Sequence, residues 1–95
     1  MCNIFNRNLR KTASTFSVRI LGRTGIRYAE GKKSLFIDSE LLPSSSPFDL
    51  VLYADSIQHW DPPYQTETID QLTKEIIIKN IAEDLLIHNI KLEII

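Results

Sequence analysis

The chain has almost none of the residues that build a stapled or metal-held fold. It holds a single cysteine, Cys2, so no internal disulfide forms, and no Cys/His grouping has the spacing of a zinc site. Its longest aliphatic run is Ile76-Ile77-Ile78, far short of the roughly 20 residues needed to cross a bilayer. The opening MCNIFNRNLRKTAS is basic without an apolar stretch behind it, which excludes a secretory signal by pattern and points to a cytoplasmic protein. No Gly-rich phosphate loop is present, and Gly22-Arg23-Thr24-Gly25 is a turn, too short for a nucleotide fingerprint. A Ser or Cys nucleophile motif is missing too. Asp55, His59, Asp61 and Glu67 crowd one stretch, but carboxylates on a surface loop are ordinarily solvated. These absences predict no enzyme, no catalytic residues, no metal and no cofactor.

What is there suffices for one core. The 95 residues are 43% apolar and 24% charged, which rules out disorder and leaves room for a single domain. Net charge is only −1, yet it is unevenly spread. Residues 1–33 carry eight Lys and Arg against Glu30 alone, a net of +7; residues 34–95 carry three Lys against eleven carboxylates, a net of −8. Either this makes a bipolar surface that steers charged partners, or basic and acidic segments lie side by side and their fields partly cancel.

Alternation with period two marks the strands. Phe16, Val18 and Ile20 share one face, and Ile26 and Tyr28 another. Leu35 and Ile37, with Leu41 in phase, oppose Phe36, Asp38 and Glu40. The turns at Gly22–Gly25 and around Gly31 join these runs into an antiparallel meander. Pro43-Ser44-Ser45-Ser46-Pro47 is a loop by composition, and a fourth strand follows from Phe48 to about Ile57. A helix opens near Asp70, a capping residue, with Thr68 and Gln71 offering a competing box one turn earlier. Its core stripe is Ile77, Ile78, Ile81, Ala82 and Leu85, with Lys79, Asn80, Glu83 and Asp84 largely opposite. Asn89 tolerates the left-handed position that ends a helix, and Ile90 to Ile95 alternates as a last strand. The predicted fold class is α+β: a small, antiparallel-rich sheet of about five strands with one long helix on one face. Residues 1–15 read as a flexible arm and 16–95 as the domain.

Leu72, Ile76 and Ile87 fall outside the helix's core stripe. Either the Trp60–Tyr64 segment folds back over Leu72 and Ile76, or a partner covers them, and a homo-oligomer stays open. That segment, His59-Trp60-Asp61-Pro62-Pro63-Tyr64, is stiff because Asp61 and Pro62 each precede a proline. Stiff chain flanked by aromatics loses little entropy on binding, which suits an interface. It equally suits an intramolecular strap with Trp60 in the core, the more frequent fate of a lone Trp in a small domain.

The order of these segments carries a resemblance. Asp55 to Tyr64 reads D-S-I-x-x-W-D-P-P-Y and is followed by a polar spacer, an Ile before a capped helix, and I-I-x-x-I-x-x-x-L. The earlier run Tyr28 to Leu42 reads Y-A-E-G-K-K-S-L-F-I-D-S-E-L-L. Together they resemble the immunity protein 74 family of bacterial polymorphic toxin systems, over roughly Ser17 to Ile95. Asn89 departs from the pattern, since such a chain would more readily carry Gly there. The resemblance implies a cytoplasmic inhibitor that binds and neutralises a cognate toxin carboxy-terminal domain. It brings no catalytic residues with it. On that reading the expected toxin-binding residues are Asp55, His59, Trp60, Asp61, Tyr64 and Glu67, with the carboxylates complementing a basic cleft. The rival reading is a small nucleic-acid-binding or regulatory module using the basic first third, with Phe5, Phe16 and Tyr28 interleaved. A sequence pI near 6.1 and the lack of an RNP-like, KH-like or helix-turn-helix signature weigh against it.

Overall fold

The computed structural model describes residues 16–95; the expected arm over 1–15 lies outside the described residues. Five strands form one sheet in the spatial order β1 to β5: β1 (Phe16–Leu21), β2 (Gly25–Glu30), β3 (Lys33–Leu41), β4 (Leu50–Leu52) and β5 (Leu92–Ile94). The first four pair antiparallel, and β5 runs parallel to β4. Helix α1 (Gln71–Ile87), the one α-helix among the described residues, is the crossover that parallel neighbours require. The sheet is therefore mixed, and the α+β class holds.

Local chemistry accounts for the element boundaries. Gly22 and Gly31 turn the two hairpins at φ +65° and +61°, values costly for any residue with a Cβ. At Gly25 the missing side chain has a different use: the ring of Phe36 occupies the space a Cβ would fill. Helix α1 begins where Asp70 Oδ1 accepts from the Thr73 N–H at 2.8 Å. It ends in a Schellman pair, with Ile90 N–H donating to Leu85 O and Asn89 N–H to Leu86 O, and Asn89 at φ +63°.

Strand β4 is much shorter than the expected Phe48–Ile57 run. After Leu52 the chain leaves the ladder for a 3₁₀ turn at Ala54–Ser56. The Ser56 hydroxyl explains the departure: it donates to Tyr53 O at 2.7 Å and accepts from the Asp38 N–H at 2.9 Å, taking the place of a strand partner. From there residues 53–61 run as an irregular strap along the half of β3 that β4 leaves open. Tyr53 N–H donates to Asp38 O (3.0 Å) and Asp61 N–H to Ser34 O (2.7 Å). An exposed strand edge is thereby covered.

The core lies between the inner sheet face and α1. Ile26, Tyr28, Leu35, Ile37, Leu50 and Leu52 meet Ile77, Ile81 and Leu85, with Ile57 and Trp60 of the strap closing one side. Asn80 departs from expectation: it is buried rather than solvent-facing. Its Nδ2 donates to the Tyr28 hydroxyl at 3.0 Å, and that hydroxyl donates to Glu30 Oε1 at 2.7 Å. A buried amide is tolerated because this acceptor awaits it. Leu72, Ile76 and Ile87 remain 67%, 47% and 79% exposed, so the strap does not fold over them.

Candidate functional site

The strap and the loop after it are organised around Trp60. The indole is 4% exposed, tilted over Tyr28 with ring centroids 6.5 Å apart. Burying a side chain of this size contributes more than any other single contact of the segment. Trp60 thus sits in the core beneath the segment, and its neighbours are thrown outward. His59 and Thr68 form an isolated antiparallel bridge that closes the loop between them. Within that loop Pro62 and Pro63 are joined by a cis peptide bond and both are exposed.

Two cations from the β2–β3 hairpin brace the loop. The Arg27 guanidinium donates to Asp61 Oδ2 at 2.6 Å and to Ser34 Oγ at 3.1 Å. Lys33 Nζ donates to Glu67 Oε1 and lies 5.7 Å and 5.8 Å from the ring centroids of Trp60 and Tyr64. An ammonium shared between a carboxylate and two ring faces restrains all three groups. Lys74 of α1 stands 3.9 Å from Asp55, whose side chain is fully exposed.

The six expected site residues therefore occupy one segment in different environments. Asp55, His59 and Glu67 are exposed, Asp61 and Tyr64 half-buried, and Trp60 buried. Asp55, Asp61 and Glu67 each face a cation, so the surface is a mosaic of both signs rather than an acidic patch. Of the two readings of the lopsided charge, side-by-side cancellation describes this region. Arg27, Lys33 and Lys74 escaped the sequence reading. Arg27 and Lys33 meet their partners across 34 residues of chain, a separation that leaves no local signal. Among the described residues no three His, Cys, Asp or Glu side chains converge as a metal site. No helix among them is long and apolar enough to cross a membrane.

What fold and site define is a small α+β domain presenting a braced, polar, proline-stiffened loop on a sheet edge. The chain belongs to the immunity protein 74 family, whose family model matches residues 17–95. No curated protein and no solved structure matches it.

Proposed function

We propose that this protein is a non-enzymatic inhibitor that binds and neutralises a cognate toxin domain in the cytoplasm of the producing bacterium. Membership of the immunity protein 74 family carries the reading. The braced loop supports its placement. A segment already held by Trp60, Arg27 and Lys33 pays little ordering entropy when a partner docks.

In this reading Asp55, His59, Tyr64 and Glu67 make the toxin contacts, while Trp60 and Asp61 hold the loop in its binding shape. Because each carboxylate already has a cation, recognition rests on a pattern of both charges and on Tyr64, not on net negative charge. A standard interface of about 1,600 Å² total would take in the loop and its flanks. Truncating a central anchor such as Tyr64 costs about 2 kcal/mol or more of affinity, and rim charges less.

The test is co-expression with the toxic carboxy-terminal domain encoded by the adjacent upstream reading frame, scoring growth and isolating the complex. Rescue with a stoichiometric complex is expected, and the combined Asp55→Ala, His59→Ala, Tyr64→Ala, Glu67→Ala variant abolishes both while its melting temperature stays within a few degrees. Rescue undiminished in that variant removes the loop from the interface. No rescue and no complex overturns the inhibitor reading, and salt-sensitive binding of nucleic acid then becomes the function to measure.

A further inference from the structure

The outer face of α1 carries apolar side chains that no element of the described fold covers. Leu72, Ile76, Leu86 and Ile87 are 67%, 47%, 63% and 79% exposed. At 100° per residue they share an arc of about 100° with Lys79 and Glu83, both exposed. Along the helix the face reads apolar, cation, anion, apolar. Reversed end to end, this order keeps its apolar ends and exchanges its charges. That is the pattern an isologous antiparallel pairing needs.

We propose that this face of α1 is a homodimer interface, occupied by the same helix of a second copy running antiparallel about a two-fold axis level with Ile81. Lys79 then faces Glu83 of the second copy, twice, and Ile76 lies opposite Leu86. Leu72 falls within one turn of Ile87 across the interface. Charge decides the orientation, since a parallel pairing would set Lys79 against Lys79. Both charges are available for it: Lys79 and Glu83 form no ion pair with each other or with any described residue. The braced loop stays outside the contact, so dimerisation does not depend on the proposed function.

The experiment is sedimentation equilibrium of the full chain from about 5 to about 500 μM, a range suited to an interface smaller than the standard size. A monomer–dimer equilibrium is expected. Lys79→Glu or Glu83→Lys alone places like charges together twice and raises the dissociation constant about tenfold or more. Combining the two restores the wild-type value, which a merely unfolded variant would not do. A monomer throughout, a dimer indifferent to the single swaps, or a double variant that fails to recover each overturns the proposal. Loss of toxin neutralisation by Leu72→Ser and Ile87→Ser in a strictly monomeric protein would also overturn it and assign the face to the toxin.

Discussion

Replacing Tyr28 by Phe removes one oxygen from the centre of the fold, and its consequence can be worked out from the partners. The hydroxyl accepts from buried Asn80 Nδ2 at 3.0 Å and donates to Glu30 Oε1 at 2.7 Å. Glu30 is half-buried and recovers water. Asn80 does not, and a buried donor without an acceptor costs about 1–3 kcal/mol. The expected loss is about 2 kcal/mol, or a fall in Tm of roughly 8–16 °C for a domain of this size. Asn80→Leu, although the larger chemical change, removes the donor itself, keeps the branched shape and improves helix propensity; its expected cost is below about 1 kcal/mol. Adding Tyr28→Phe to Asn80→Leu should then cost less than Tyr28→Phe alone, a coupling of about 1 kcal/mol. Urea unfolding followed by the fluorescence of the only tryptophan, Trp60, reads all four proteins. Strict additivity, or a Tyr28→Phe variant within about 0.5 kcal/mol of wild type, would refute the reasoning. The same site predicts an alkaline limb. Burial, opposed by the Asn80 hydrogen bond and reinforced by the Glu30 carboxylate, pushes the Tyr28 hydroxyl well above its ordinary 10.0. A raised pKa means the contribution is fully present below the unfolded value and is lost as pH climbs through the folded one. Tyr28→Phe flattens that limb.

Ser39 Oγ is buried with no hydrogen-bond partner among the described residues, so Ser39→Ala is expected to stabilise by about 0.5–1 kcal/mol; a loss of stability in the same urea titration would mean that the hydroxyl is satisfied. Trp60→Ala empties the space between strap and core at a cost of about 3–5 kcal/mol, and amide exchange of Asp61, whose N–H donates to Ser34 O, should accelerate well before global unfolding. The Thr73 N–H holds the Asp70 carboxyl below its usual 3.8. Its contribution is present above that pH and lost as pH falls through the lowered value, so Asp70→Asn, which still caps the helix, should melt like wild type near neutrality and show a shallower decline in acid. Parallel acid limbs in thermal melts would contradict this.

Much of the fold was legible because its signals are local. Asp70, the N-cap, and Asn89, the left-handed residue just after the C-cap, mark the ends of α1 within two residues of the observed boundaries, since a cap involves only the neighbouring turn. The alternation of Phe16 to Ile37 set the inner sheet face, because successive strand residues point to opposite sides whatever the strand pairs with. The end of β4 was not legible. Its apolar run favoured a longer strand, and only the Ser56 hydroxyl bonding to both Tyr53 and Asp38 draws the chain away.

By itself, then, the sequence determined the helix and its limits, the three-strand meander, the α+β class and, through the order of its segments, the family. Tertiary structure alone decided that β5 lies parallel to β4, that Trp60 is buried, that Asn80 turns inward to Tyr28 across 52 residues, and that Asp55, Asp61 and Glu67 each meet a cation. The division has one physical reason. Periodicity, capping and turn chemistry act within a turn or a hairpin, whereas the partner of a buried amide or a surface carboxylate is chosen by whichever distant strand the packed core brings beside it.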